Sequence, residues 1–260
     1  MMKSKTKLLG GALAASLLLA GCASMKSMDT NSLLSAGSDM AKAANLSDAD
    51  IIQLSDAACK QSDQESKIAP AGNKYSVRLT KLMRGFGNMT LNGQKVNYKV
   101  YMTEDVNAWA MGNGCVRVYT GLMDLMNDDE LRGVIGHEMG HVALGHTKKA
   151  MQTAYAVSAA RQAAGAAGAA GNSVVASLSA SQLGEMTEKF INAQFSQSQE
   201  TAADDFSFDL LTEKKMNRKG LVTAFQKLAE LDGGESSMFS SHPSSPDRAA
   251  RMEKRLQAGK

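Results

Sequence analysis

Three of the chain's four histidines lie within ten residues, and two of them belong to the sequence His137-Glu138-Met139-Gly140-His141. On a helix, residues four positions apart share one face, so this H-E-x-x-H pattern suits a zinc ion. Two imidazoles would bind Zn²⁺ at about 2.0–2.1 Å and leave room for a third protein ligand and a water. The metal lowers the pKa of that water to about 7, and Glu138 can pass its proton to a leaving amine. The pattern therefore predicts metal-dependent hydrolysis of a peptide bond, with chance occurrence of a short motif as the alternative.

The segment that carries this motif is predicted to be a helix. Asn127 or Asp128 can cap its first turn, and Glu130 lies where the acid of a capping box reaches back. Apolar residues then recur at steps of three and four, at Leu131, Val134, Ile135, Met139 and Val142. Gly145 provides a stop before His146, which is interpreted as a helix-end or supporting group rather than a ligand.

A third ligand is expected from a second helix. Leu144 and Thr147 stand where the metzincin pattern needs Gly and His, which excludes that class. Glu200 is a candidate carboxylate ligand, and Asp204, one turn later, can accept the outer N–H of a ligating histidine. The alternative for Glu200 is an ordinary solvated helix charge.

The last histidine lies in a proline-containing segment. Residues 240–248 contain His242, Arg248 and two of the chain's three prolines. A rigid polar loop that holds this histidine and this arginine near zinc could stabilise an oxyanion. A surface loop without a role in catalysis is the alternative.

The N-terminus has the features of an exported lipoprotein. Residues 1–21 combine basic Lys3, Lys5 and Lys7 with a short apolar stretch and end in Leu-Ala-Gly before Cys22. Cys22 would then be acylated, and residues 22–45 would form a lipidated tether to the outer membrane. An ordinary cleaved signal with an incidental cysteine is the alternative.

Charge and cysteine usage are consistent with this location. The net charge of +3 disappears when the three signal-peptide lysines are removed, which gives no electrostatic support for a nucleic-acid partner. Cys59 and Cys115 remain as a pair, and in an oxidising compartment a pair normally forms a disulfide. Two buried free thiols are the alternative.

The remaining residues, 46–260, are predicted to form one metallopeptidase domain. Its fold class is α+β and mainly helical, with the H-E-x-x-H helix and a small antiparallel sheet. The strands are expected at 96–102 and 115–119, and an edge strand beside the zinc helix could hold an extended peptide. A helical apolar rhythm is expected over 188–211. The Ala/Gly-rich stretch 161–184 is either a mobile segment near the active-site mouth or a plain spacer.

Several separated motifs together resemble the HtpX/BepA-type family of gluzincin metallopeptidases, a zincin-like group. They are HEMGH, Glu200-x-x-x-Asp204, His242-Pro243-x-x-x-x-Arg248 and the Asn107-Ala-x-Ala stretch. The resemblance covers nearly the whole chain after the signal peptide.

This resemblance implies roles for individual residues. His137, His141 and Glu200 match the ligands of one Zn²⁺, Glu138 the catalytic base and Asp204 the supporting acid. His242 matches a histidine that in some relatives approaches the zinc from a mobile loop and gates the site, and Arg248 matches a residue near the active centre. The expected substrates are unfolded or misfolded envelope polypeptides, and a BepA-like periplasmic protease is an expected partner.

Overall fold

The fold is built mainly from helices, with one group of short strands. The computed structural model describes residues 45–163, 173–231, 241–242 and 246–259. Its helices within these ranges are α1 (Asp48–Glu65), α2 (Lys74–Phe86), α3 (Thr120–Leu125), α4 (Asp128–Ala143), α5 (His146–Ala163), α6 (Ala180–Ile191), α7 (Gln197–Glu213), α8 (Lys219–Glu230) and α9 (Pro246–Gln257). The strands, all between α2 and α3, are β1 (Thr90–Leu91), β2 (Gln94–Lys95), β3 (Asn97–Tyr101), β4 (Ala108–Ala110) and β5 (Cys115–Tyr119). The predicted mainly helical α+β class is confirmed.

The main sheet is mixed, whereas a small antiparallel sheet was predicted. Its order is β3-β5-β4, with β5 in the centre. β4 and β5 form an antiparallel hairpin, but β3 runs parallel to β5, with Asn97 beside Cys115 and Tyr101 beside Tyr119. The difference arises from β4, a three-residue strand too short to show an alternating pattern. β4 runs opposite to β3, and β5 reverses direction again after the hairpin. β5 therefore runs in the same direction as β3 and pairs with it in parallel.

The cap of α4 forms as the sequence predicts. The side chain of Asn127 accepts hydrogen bonds from the backbone N–H groups of Asp129 and Glu130, both at 3.0 Å. In return, the carboxylate of Glu130 accepts from the backbone N–H of Asn127 at 2.8 Å. This reciprocal arrangement satisfies donors that the first helical turn leaves unpaired. The start of the motif helix is therefore determined locally.

The helical rhythm predicted over 188–211 is interrupted. α6 ends at Ile191 and α7 begins at Gln197. Ser196 caps α7, and Gln199 completes a capping box with it. The side chains of Ser196 and Gln199 accept hydrogen bonds from backbone N–H groups that a continuous helix would otherwise pair with its own carbonyl oxygens. The prediction was wrong here because apolar spacing alone does not show where a cap interrupts a helix.

Two apolar clusters form the core. The larger lies between α2, α4, α7, α8, α9 and the sheet, and it contains Ile135, Met139 and Phe208. The smaller joins α1, α5 and α6 to the other face of the sheet and contains Trp109, which is 3% exposed. α4 belongs to the larger cluster and is buried along nearly its whole length. The polar side chains of its motif are therefore held away from bulk solvent.

Small residues let α4 and α7 approach closely. A Cβ atom at Gly136 would lie 2.6 Å from Ser207 Oγ, and one at Gly140 would lie 3.1 Å from the carbonyl oxygen of Ala203. Ser207 Oγ donates to the carbonyl oxygen of Gly133 at 2.7 Å. A larger side chain at either glycine would push the helices apart. The glycines in the motif helix are thus required by the packing that places α7 beside it.

A disulfide and a partly buried ion pair attach α1 to the sheet. Cys59 and Cys115 form the predicted disulfide. Beside it, the guanidinium of Arg117, 1% exposed, donates to both carboxylate oxygens of Asp63 at 2.8 and 3.0 Å. Closing a loop of this length stabilises the folded state by about 4 kcal/mol on the chain-entropy model. The covalent and ionic contacts thus act at the same junction.

Several sequence predictions lie outside the described residues. These are the signal peptide 1–21, the acylated Cys22, almost all of the tether 22–45, and residues 164–172 of the Ala/Gly-rich stretch. Residues 173–178 of that stretch form turns before α6 begins. None of the helices that the structure describes is both long enough and apolar enough to span a membrane.

Candidate metal centre

α4 presents both motif histidines on its buried face. The Nε2 atoms of His137 and His141 lie 3.0 Å apart, and both residues are less than 4% exposed. The spacing of four residues places the two rings one above the other on the helix. α4 therefore supplies two converging nitrogen donors.

α7 supplies the carboxylate from the opposite side. Glu200 lies in its first turn, 1% exposed, with Oε2 at 3.4 Å from His137 Nε2 and Oε1 at 3.3 Å from His141 Nε2. Because α4 and α7 run antiparallel, the beginning of α7 meets the last turns of α4. The two imidazoles and the carboxylate that sequence reasoning selected are brought to one point.

His242 adds a fourth donor. Its Nδ1 lies 3.3 Å from His137 Nε2 and 3.1 Å from Glu200 Oε1. The ligand atoms of His137, His141, Glu200 and His242 all lie within 4.8 Å of one another. Sequence reasoning had assigned His242 to oxyanion stabilisation or gating. In this structure it lies among the metal-ligand candidates.

The donor set fits a divalent transition metal. Three imidazoles and one carboxylate are ligands that zinc accepts, and ligands at about 2.0–2.1 Å in a tetrahedron lie about 3.3 Å from one another. The His137–His141, His137–Glu200, His141–Glu200 and His137–His242 donor distances, 3.0–3.4 Å, agree with this spacing. In addition, buried Glu138 Oε1 has no hydrogen-bond partner among the described residues. The side chains therefore suit a bound metal, and Glu138 points toward the same site, 3.5 Å from His242 Nε2.

Asp204 and Arg248 hold the donors in position. Asp204 Oδ1 lies 2.9 Å from His137 Nδ1, which directs the other ring nitrogen toward the metal position. Arg248 donates to both oxygens of Asp204 at 2.9 and 2.6 Å and lies 2.6 Å from Glu200 Oε2. Arg248 belongs to the first turn of α9, not to the rigid loop that the prolines had suggested. A helix therefore places the guanidinium between two buried carboxylates.

The electrostatics separate the roles of the buried groups. Burial alone would lower the pKa of His137, but hydrogen bonds to Asp204 and Glu200 raise it to about 9. Burial alone would raise the pKa of Asp204, but His137 and Arg248 hold it below its usual value. Burial raises the pKa of Glu138. Asp204 therefore stays ionised as a supporting group, whereas Glu138 has an increased affinity for a proton.

His146 and Phe195 complete the surroundings of His141. His146, the first residue of α5, has its Nδ1 3.0 Å from His141 Nδ1, so it orients His141 much as Asp204 orients His137. The Phe195 ring stacks on His141 with centroids 3.9 Å apart. Sequence reasoning missed Phe195, which had been counted as part of a continuous helix. The cap at Ser196 was the signal that could have shown it to lie in a connection.

These contacts define a metallopeptidase site of the zincin-like class. Two histidines and a glutamate of one buried helix face a carboxylate from a second helix. The chain belongs to peptidase family M48, whose sequence model matches residues 78–256. It is therefore a metallopeptidase.

Named relatives support this assignment over most of the chain. Metalloprotease LoiP of Escherichia coli (strain K12) is 52% identical over 248 residues, which cover 95% of each protein. Metalloprotease YcaL of the same organism is 50% identical over 256 residues, which cover 98% of this chain and 99% of the relative. Protease HtpX of Thioalkalivibrio sulfidiphilus (strain HL-EbGR7) matches only a segment, 50% identical over 50 residues.

The Asp204–His137 contact predicts a measurable effect on metal affinity. Asp204→Asn should weaken metal binding about 10- to 100-fold, because the amide holds the ring of His137 less firmly. Competition with a chromophoric chelator measures this affinity. Asp209→Asn is the matched control, since Asp209 lies on the same helix but pairs with Arg255 and is 66% exposed. Equal affinities for the two variants would contradict the supporting role of Asp204.

Proposed function

We propose that this chain is a zinc-dependent endopeptidase. It would be anchored as a lipoprotein at the periplasmic face of the outer membrane and would hydrolyse misfolded or unfolded envelope proteins. The observation that carries the proposal is the convergence of His137, His141 and Glu200 beside the buried carboxylate of Glu138. The names of two full-length relatives support the same reaction class.

The residues of the site have separate tasks in this reaction. When bound, zinc supplies Lewis-acid activation of water and of the substrate carbonyl. Glu138 accepts the proton of the attacking water and delivers it to the leaving amine. Asp204 and Arg248 keep His137 and Glu200 in place, so that little rearrangement is needed during the reaction.

An extended substrate can lie along the outer edge of β4. The backbone N–H of Tyr119 donates to the carbonyl oxygen of Asn107, so Asn107 faces β5 and Ala108 faces away from it. The N–H of Ala108 donates to Asn107 Oδ1, which leaves the carbonyl oxygen of Ala108 at the outer edge. β4 is an edge strand among those described, and it packs against α4. Main-chain hydrogen bonds to such an edge bind peptides of many sequences. This arrangement supports unfolded polypeptides as substrates.

His242 is proposed to close the resting site. Structural zinc sites have four protein ligands, whereas catalytic sites keep one position for water. Because His242 provides a fourth donor, it must withdraw before water and substrate can enter. The backbone N–H of Phe195 donates to the carbonyl oxygen of Ser241 at 3.2 Å, so the segment before His242 is attached to the connection between α6 and α7. Movement of either segment would change access to the metal.

The four-donor arrangement also favours a second candidate function. A periplasmic chaperone or assembly factor could use a closed zinc site only to stabilise its fold. In that case the protein would bind envelope polypeptides without cleaving them. A substitution of Glu138, the residue next to His137, distinguishes the two functions.

Glu138→Gln tests the peptidase directly. The variant should keep its metal and lose at least about a hundredfold in the rate of casein cleavage, because the amide cannot accept a proton. Metal content and cleavage are measured on the same purified samples. Glu130→Gln, on the same helix but in its cap, is the control for a similar change outside the site. Cleavage by Glu138→Gln at the normal rate would rule out the assigned base and leave the chaperone as the better function.

His242→Ala tests the closing role. Activity should rise about two- to tenfold while about one metal remains bound per chain, because three protein donors suffice for a catalytic site. Metal content and peptide cleavage are again compared, with Ser241→Ala as the neighbouring control. Loss of the metal would identify His242 as an obligatory ligand. Loss of activity with metal retained would instead favour the oxyanion role.

Acylation of Cys22 tests the proposed location. The wild-type protein should fractionate with the outer membrane and carry acyl groups on its N-terminal peptide, whereas Cys22→Ser should lack them. Mass spectrometry of that peptide and membrane fractionation are the measurements, and Ser24→Ala is the control. A wild-type protein found without acyl groups in the soluble periplasm would refute the lipid anchor.

Cooperation with a BepA-like protease is proposed only from family resemblance.

A further inference from the structure

A cavity lined by carboxylates lies at the beginning of β4. Its volume is about 460 Å³, and α1, the β3–β4 connection and α6 contribute Glu65, Asp105 and Glu188 to its wall. Tyr101 and Tyr119 also line it, and no lysine or arginine is among its described lining residues. We call it the acidic cavity.

A buried amide also faces the acidic cavity. Asn107 lines the cavity and is 2% exposed. Its Oδ1 accepts from the backbone N–H of Ala108 at 2.8 Å, but its amide nitrogen has no hydrogen-bond partner among the described residues. The nitrogen is therefore suited to donate to a carbonyl oxygen of a bound polypeptide.

Two aromatic rings strengthen the attraction for a cation. The rings of Tyr101 and Tyr119 stack with centroids 5.7 Å apart. Both are held in place: the hydroxyl of Tyr101 donates to Asp63, and that of Tyr119 accepts from Trp109 Nε1. Aromatic faces beside carboxylates are a typical environment for ammonium and guanidinium groups. The cavity thus combines a carbonyl-binding donor with groups that attract a positive side chain.

The acidic cavity is close to the metal centre. Asn192, at its border, is three residues from Phe195, whose ring stacks on His141. The Cα atoms of Asn192 and Phe195 are therefore at most about 11 Å apart, a length that an extended peptide covers in about four residues. A substrate that reaches the metal can therefore place a nearby side chain in the cavity.

We infer that the acidic cavity binds the Lys or Arg side chain of a polypeptide lying along β4, and so directs the peptidase to basic segments of its substrates. This inference rests on the proposed peptidase function. A second cavity of about 310 Å³ beside His146 and Phe195 differs from the acidic cavity, because it is lined by Lys149 and Lys189 and by no described carboxylate. A basic side chain would be disfavoured there.

The test uses a host decapeptide in which Arg, Gln or Glu replaces one residue at a time within four positions on each side of the cleaved bond. At one position, wild-type kcat/KM should be about tenfold higher for Arg than for Glu, as expected for side-chain interactions with several partly exposed carboxylates. Glu188→Lys should reduce this ratio to about one, since it places a cation in the wall. Glu230→Lys, an exposed change of equal charge on α8, should leave the ratio unchanged.

A binding measurement separates this inference from the peptidase function. In the Glu138→Gln background, fluorescence anisotropy should give about tenfold tighter binding of the Arg peptide than of the Glu peptide, and Glu188→Lys should remove the difference. Equal kcat/KM and equal affinity for both peptides would overturn the inference, as would a preference that persists in Glu188→Lys. Discrimination in binding without any cleavage by the wild type would support the acidic cavity and refute the peptidase proposal.

Discussion

The close antiparallel packing of α4 against α7 is the constraint on which the rest of the structure depends. It brings two imidazoles and Glu200 to within 3.4 Å of one another, although Glu200 lies more than 50 positions from either histidine. Gly136 and Gly140 make this approach possible because a Cβ atom at either position would press against α7. The same residues that keep the helices together thus determine the geometry of the site.

This packing places several charges in a region with little solvent. Glu200, Asp204 and Arg248 are each at least nine-tenths buried. Burying charged groups is costly unless each is paired and hydrogen-bonded, and here one guanidinium contacts both carboxylates. α9 therefore does more than cover the core, since its first turn balances the charge of the metal centre. A bound divalent cation would balance the remaining carboxylate charge and couple metal binding to folding.

The fold and the site could be predicted in part from short-range patterns. The cap at Asn127, the helix around His137 and the strand Cys115–Tyr119 follow from residues within one or two turns or from simple alternation. The parallel pairing of β3 with β5 could not be predicted, because it depends on where the three-residue β4 inserts. The break between α6 and α7 was also missed, and with it the position of Phe195. In both cases a short element with a weak pattern altered the path of the chain.

The sequence by itself determined the types of the donor groups, the spacing of His137 and His141 on one face, and the carboxylate beside them. These features depend on helix periodicity and on local capping, which act within a few residues. Only the tertiary structure decided that His242, 105 positions from His137, lies among the metal donors, and that Arg248 bridges Glu200 and Asp204. Such contacts depend on how complete helices pack against one another, and no local pattern contains that information.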